Sequence, residues 1–132
     1  EVSGNARVHG NARVYGNARV SGNAEVSGNA RVHGNARVHG NARVSGNAWV
    51  SGNAEVYDSN SIMWISNIGS RNGTVTFFNS KVGIEVACGC FLGTIDEFEA
   101  KVKSTHGDNE HAKAYMLAIK LAKLRIGEVN LE

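Results

Sequence analysis

Residues 34–56 read GNARVHGNARVSGNAWVSGNAEV, a six-residue phrase in which four letters stay fixed and two vary. The phrase fills residues 1–57, where Val recurs at every sixth position from Val2 to Val56. A strict short period of this kind is typical of a repeat architecture. Gly falls at every sixth position and Pro is absent, which excludes a collagen helix.

Each phrase predicts a short β-strand followed by a corner. In A-x-V-x, strand alternation sends Ala and Val to one side and the two variable residues to the other. Gly-Asn supplies the backbone conformation with positive φ that a corner needs. Three such sides close a prism of about 18 residues per coil, with Val and Ala inside. Coils stack about 4.8 Å apart through parallel ladders, so residues 1–57 predict about three coils.

The phrase V-x-G-N-A-x matches the aliphatic-x-x-x-small-x pattern of hexapeptide-repeat proteins throughout residues 1–57. This part of the chain therefore resembles the left-handed parallel β-helix family. The resemblance implies left-handed coiling and frequent trimers. Many members are acyltransferases, but those typically carry a protruding loop between phrases, and no phrase is interrupted here. The GNARV and GNAWV strings also look like hexapeptide proteins encoded by phages and prophages.

The residues at the two variable positions determine which side chains each face of the prism exposes. With about 18 residues per coil, two faces carry mixed charges, whereas the third has two cations, large aromatic rings and no acid. We call this third set the aromatic face; it consists of Arg13, Tyr15, Arg31, His33 and Trp49. Exposed Trp, Tyr and Arg together are the composition of a contact surface. We expect self-association through this face; solvent exposure, or a ligand such as a nucleic-acid strand stacking on the rings, are the alternatives.

Histidines in the repeats raise two further alternatives. His33 or His39 would be the general base if the chain were a reduced acyltransferase, although a base needs a substrate pocket that no inserted loop provides. His9, His33 and His39 all fall on outward positions, but no two of them share a column. A ladder of metal ligands is therefore not expected.

The second half of the chain has a mixed composition that contains all four Phe, every Lys and both Cys. We divide the chain into a β-helix over residues 1–57 and a small α+β domain over residues 58–132. The segments SIMWISNIG, TVTFF and IEVACGCF predict three strands in series, with Ile62, Trp64 and Ile68 on one side of the first.

Two helices are expected after the strands. Thr94-Ile95-Asp96-Glu97 is a capping box, and the helix that it opens should reach about Thr105. Gly107 is placed to end that helix, and Asp108 or Asn109 to cap a second one that runs to about Ile126 before Gly127. The resulting βββαα module should dock on the last coil or on a neighbouring subunit, and such docking would cover the unpaired edge of the solenoid.

Polar loops of the second half supply the remaining candidate binding residues. Most of these residue types are also favoured in turns and helix caps, so a purely structural role is the alternative. These candidates are Ser70, Arg71 and Asn72 in one loop, and His106, Asp108 and Asn109 in the other.

The two cysteines allow two further hypotheses. Cys88 and Cys90 with His106 and His111 could form a Cys₂His₂ metal site, but the spacing is C-x-C instead of the usual C-x-x-C, and buried core thiols are the alternative. A nucleophilic Cys with His106 or His111 as base lacks an evident orienting group. No catalytic residue and no cofactor are predicted.

Charge and hydropathy limit the classes of function. Six Arg against three Glu give residues 1–57 a net charge of +3, and eight Lys plus Arg against nine Asp plus Glu give residues 58–132 a net charge of −1. These net charges are too small to indicate nucleic-acid binding by themselves. No apolar run approaches the roughly 18 residues of a membrane span, and two Cys are too few for a secreted disulfide framework. We expect a protein of the bacterial cytoplasm that does not bind membranes.

The leading hypothesis is a non-enzymatic binding protein that assembles as a trimer or dimer. Its partner would be a host protein or a small signalling molecule, and the phage resemblance implies inhibition of a host defence system. A reduced acyltransferase and a nucleic-acid binder using Arg13, Arg31 and Trp49 are the alternatives. Glu1 stands in mid-phrase, so more coils are expected upstream, and Leu131-Glu132 resembles a cloning remnant.

Overall fold

The repeats form a β-solenoid of about three coils. The computed structural model describes residues 1–126. Each complete phrase contributes one two-residue strand whose second residue is Val, whereas Val2 forms only an isolated bridge with Val20. These strands are β1 (Arg7–Val8), β2 (Arg13–Val14), β3 (Arg19–Val20), β4 (Glu25–Val26), β5 (Arg31–Val32), β6 (Arg37–Val38), β7 (Arg43–Val44), β8 (Trp49–Val50) and β9 (Glu55–Val56).

Each strand pairs in parallel with the strand three phrases later. The three resulting sheets have the orders β1-β4-β7, β2-β5-β8 and β3-β6-β9. Corner asparagines stack in the same register, since the Asn5 side chain donates to Oδ1 of Asn23, 18 positions later, at 3.3 Å. The structure therefore confirms the expected prism. It also explains the fixed Asn, whose side-chain amides form ladders along the corners.

The corner glycines are required by both conformation and space. Gly22 has a φ of 64°, a region that L side chains rarely adopt. A Cβ on Gly22 would also lie 3.0 Å from the backbone nitrogen of Gly40 in the next coil. Because stacked corners approach this closely, any residue larger than Gly would push the coils apart.

Val and Ala fill the interior of the solenoid as predicted. Every Ala and Val of the repeats from Ala18 to Val56 is at most 1% exposed. The first coil is less covered, because Val8 and Val14 are only half-buried and Val2 is 48% exposed. The apolar core therefore becomes more complete toward β9, where the second half of the chain packs.

The second half is a four-stranded antiparallel sheet followed by two helices. The sheet consists of β10 (Ile62–Ile68), β11 (Gly73–Ser80), β12 (Gly83–Cys88) and β13 (Phe91–Thr94), paired in chain order. The prediction of three strands was wrong, because IEVACGCF folds into two. Gly89, with a φ of 58°, reverses the chain and Cys88 pairs with Phe91.

The prediction that Ile62, Trp64 and Ile68 share one side of β10 was wrong, because the strand contains a bulge. Asn67 has a φ of 61°, and the pairing register shifts between Ser66 and Ile68. Ile68 therefore packs in the core beneath the helices instead of sharing a side with Ile62 and Trp64.

The sheet docks on the last coil through one of its faces. Phe78, fully buried, belongs to the same apolar cluster as the solenoid valines. Ala54 and Ser80 form an antiparallel bridge, and the backbone N–H of Trp49 donates to Oγ1 of Thr76 at 3.0 Å. The prediction that this module covers the end of the solenoid is confirmed.

The helices cover the other face of the sheet. Helix α1 (Ile95–His106) starts at the predicted capping box and ends at Gly107. Helix α2 (Glu110–Arg125) is capped by Asn109, whose side chain accepts from the Ala112 N–H. The predicted roles of Gly127 and Leu131-Glu132 lie outside the described residues. Among residues 1–126, no helix has the length and apolar content that crossing a bilayer requires.

Candidate functional site

The aromatic face is assembled by strand register. Arg13 pairs with Arg31, and Arg31 with Trp49, so these three residues form one column along β2-β5-β8. The rings of Tyr15 and His33 stack in the neighbouring column, with centroids 4.9 Å apart and planes 3° from parallel. The sequence placed these residues on one face, and the structure does the same.

Trp49 links the two columns. Its indole N–H donates a hydrogen bond to Nε2 of His33, and the Arg31 guanidinium carbon lies 5.4 Å from the centroid of the Trp49 ring. Because an indole N–H only donates, His33 must accept at Nε2 and carry its proton on Nδ1. Burial, followed by repulsion from the Arg31 guanidinium, lowers the pKa of His33, which favours this neutral form.

Trp49 also contacts the second half of the chain, through its backbone bond to Thr76. The Trp49 side chain is therefore half-buried at the junction, whereas Tyr15 remains 44% exposed. The aromatic face is thus continuous at one end with the sheet.

A cleft of about 540 Å³ opens where the aromatic face meets the sheet and helices. Within residues 1–126, its walls come from four separate parts of the chain, and each part contributes a polar or aromatic group. These groups are Asn47 and Trp49 of the solenoid, Ser70 and Arg71 between β10 and β11, Cys88 and Cys90 around the β12–β13 turn, and Thr105, His106 and Tyr115 of the helices.

The fixed charge on the walls of the cleft is positive. The Arg71 guanidinium lines it, while none of the lining residues within 1–126 carries a carboxylate. Burial raises the pKa of Tyr115 to about 12, so its hydroxyl stays protonated at neutral pH and is able to donate a hydrogen bond. The arrangement favours a ligand with an anionic group and a flat ring.

The two thiols of the cleft differ in environment. Cys88 is half-buried, and its sulfur lies 3.9 Å from the Tyr115 hydroxyl. Burial raises the pKa of Cys88, so its thiol stays protonated near neutral pH. Cys90, at the tip of the β12–β13 turn, is exposed.

The structure brings together some of the loop residues that the sequence singled out and separates others. Ser70, Arg71 and His106 line the cleft. Asn72 occupies a turn at a φ of 51°, and Asn109 serves as the α2 cap. Asp108 lies instead in a groove between the two helices.

The hypothetical Cys₂His₂ site is not assembled. The His106 and His111 rings lie 5.6 Å apart, and Cys88, Cys90 and His106 line the same cleft. Within residues 1–126, however, no three His, Cys, Asp or Glu side chains are grouped as metal ligands. Sequence reasoning had also missed Tyr115 as a cleft residue, because its position fits the buried apolar stripe of α2 equally well.

Comparison with known proteins identifies the repeats. Residues 12–28, 24–40 and 36–52 each match the family model described as the YdcK β-solenoid repeat. No curated protein and no solved structure shows a significant match to the chain. The matched stretch contains Asn47 and Trp49 but none of the cleft residues contributed by the sheet and helices. Residues 12–52 are therefore similar to β-solenoid repeats of the YdcK type, a similarity that describes a fold and no reaction.

Proposed function

We propose that this protein is a non-enzymatic binding protein whose ligand site is the cleft between the solenoid and the second half. The observation that supports this most directly is the convergence of Trp49, Arg71 and His106 from three distant segments on one concave space. Ligand sites are commonly clefts of about 300–1,000 Å³ with an apolar lining and a few polar groups, and this cleft has that size and composition.

The chemistry of the walls favours a small planar anion, of which a nucleotide is the natural example. Arg71 makes no ion pair within residues 1–126, so its guanidinium is available for a phosphate or carboxylate. The Trp49 ring is held by His33 and by Arg31 before any ligand arrives. A ring fixed in advance loses little conformational entropy when a ligand stacks against it.

The biological part of the proposal rests on the repeats. Their GNARV strings resemble hexapeptide proteins of phages, and a phage protein that sequesters a small host signalling molecule in the bacterial cytoplasm would weaken a defence that depends on that molecule. Assembly into a dimer or trimer would present several clefts in one particle. This role requires capture of the molecule and no chemical conversion.

The proposal is tested by calorimetry with a defined set of ribonucleotides: the 5′-mono- and diphosphates and the 3′,5′-cyclic monophosphates of the four bases. At least one is expected to bind, and Arg71→Ala should weaken that binding at least tenfold, a loss of about 1.4 kcal/mol. Arg37→Ala is the matched control, because Arg37 is exposed on a different sheet of the solenoid. No binding by any of these nucleotides at millimolar concentration, or equal losses in both variants, would contradict the proposal.

A second candidate function is the binding of single-stranded nucleic acid along the aromatic face. It is favoured by the column of Arg13 and Arg31, both exposed, beside the exposed Tyr15 ring. An oligothymidylate should then bind with an affinity that falls steeply from 50 to 200 mM salt, and Arg13→Ala should reduce the slope by about 1. Arg71→Ala should leave this binding unchanged, which separates the two candidates.

The acyltransferase alternative gains no support from the geometry. Nε2 of His33 already accepts the Trp49 hydrogen bond, and the His39 ring lies 5.9 Å from that of Tyr57. Neither His33 nor His39 lines the cleft.

A further inference from the structure

Helix α2 has a second apolar side that the rest of residues 1–126 leaves exposed. Its first side, which includes Tyr115 and Ile119, is buried against the sheet and α1. Leu117, Leu121 and Leu124 are 68%, 45% and 59% exposed. Their spacing of four and three residues places them in one row along the helix. We call this row the leucine stripe.

A groove between the two helices extends the leucine stripe at one end. It has a volume of about 420 Å³ and is lined by Met116 and Leu117 together with three lysines. These lysines are Lys103, Lys113 and Lys120. Among the lining residues within 1–126, Asp108 is the single acidic one. We call this space the basic groove.

The lysines of the basic groove are largely free to meet a partner. Lys103 pairs with Glu99 at 3.3 Å. Lys113 and Lys120 make no ion pair within residues 1–126. The surface therefore combines exposed leucines, a concave apolar floor and unpaired positive charge.

We propose that the leucine stripe and the basic groove form a docking site for an amphipathic helix of another protein, with Asp or Glu flanking its apolar row. An amphipathic helix can place its apolar side chains in a hydrophobic groove, and acidic flanks would complement Lys113 and Lys120. This partner is different from the ligand of the cleft, because the cleft and the basic groove share no lining residue.

Two other occupants fit less well. A second copy of this chain docked through the same stripe would bring the lysines of one copy close to those of the other, and such like-charge contacts are costly. An anionic bilayer would satisfy the charge, but a membrane-binding helix inserts a convex apolar side. The basic groove is concave, and side chains that protrude from a partner helix fill it better.

The test uses three synthetic 18-residue helical peptides with the same apolar row: one flanked by Glu, one flanked by Lys, and one with the Glu-flanked composition in scrambled order. Fluorescence anisotropy should show that the wild-type protein prefers the Glu-flanked peptide by at least tenfold. Lys113→Glu with Lys120→Glu should reverse that preference, and Leu117→Ser with Leu121→Ser should abolish it. Val82→Ser is the matched control, because Val82 is 66% exposed outside the stripe.

Any of the following results would overturn the proposal. Equal affinity for the Glu- and Lys-flanked peptides would remove the charge argument, and so would binding to none of them at 1 mM. An equal effect of Val82→Ser would show that the stripe is not the site. Cosedimentation with phosphatidylglycerol vesicles without peptide binding would assign the surface to membranes. A dimer that dissociates on Leu117→Ser with Leu121→Ser would assign it to self-association. Melting temperatures of all variants confirm that each is folded.

Discussion

The indole N–H of Trp49 donates a hydrogen bond to Nε2 of His33, a residue 16 positions earlier in the chain. Two coils and the junction with the sheet meet at this bond, because Trp49 also donates its backbone N–H to Thr76. The bond exists only while His33 is neutral, since a protonated imidazole has no acceptor. This hydrogen bond at the junction therefore depends on the protonation state of His33.

We predict that this pair makes stability depend on pH. The folded-state pKa of His33 lies below the ordinary value of 6.5, mainly because of burial. As the pH falls through that ordinary value, the unfolded chain binds the proton first, so the free energy of unfolding decreases. Urea denaturation at pH 7.5 and 5.5 should show a larger loss for the wild type than for His33→Gln. Equal losses would show that His33 is not the group responsible.

A corner glycine of the solenoid and the glycine of the β12–β13 turn should differ in how far they tolerate a side chain. Gly40→Ala introduces a Cβ that overlaps the Tyr57 carbonyl oxygen, in addition to the strain of a φ of 62°. Gly89→Ala has nearly the same strain, at a φ of 58°, but its Cβ meets open space. Chemical denaturation should give a loss of about 1–2 kcal/mol for Gly89→Ala and about 1–3 kcal/mol more for Gly40→Ala. Similar losses would mean that the coils can separate without cost.

Adjacent phenylalanines of β11 should stabilise different parts of the molecule. Phe78 packs against the last coil and Phe77 against the helices, and both are fully buried. Replacing either with Ala should cost about 3–5 kcal/mol. Hydrogen exchange should then increase most in β9 for Phe78→Ala and in α1 for Phe77→Ala. The same pattern of exchange in both variants would refute this division of the core.

The two cleft thiols should react at different rates. Cys90 is exposed, whereas burial raises the pKa of Cys88 and lowers its thiolate fraction. Under native conditions, a disulfide reagent such as Ellman's should modify one thiol at least tenfold faster than the other. Cys90→Ser should remove the fast phase and Cys88→Ser the slow one. Two equal phases in the wild type would contradict the environments described.

The candidate site was only partly predictable from the sequence. Arg13, Arg31 and Trp49 were placed in one column because a fixed repeat length determines which residues lie above one another. Arg71 and His106 were identified as loop residues, but no pattern indicated that they share a cleft with Trp49. Their proximity depends on how the sheet sits on the last coil. That contact is made by Phe78, Ile62 and the Ala54–Ser80 bridge.

The sequence by itself determined the solenoid, because every phrase repeats the same local rule. Val and Ala point inward, Gly provides the corner conformation, and the next coil must fall in register. The tertiary structure alone decided the reversal at Gly89, the bulge at Asn67 and the placement of Tyr115 in the cleft. These features arise from packing between segments that are distant in sequence and share no period. The residues of these segments are compatible with several local arrangements, and only packing in the core determines which one forms.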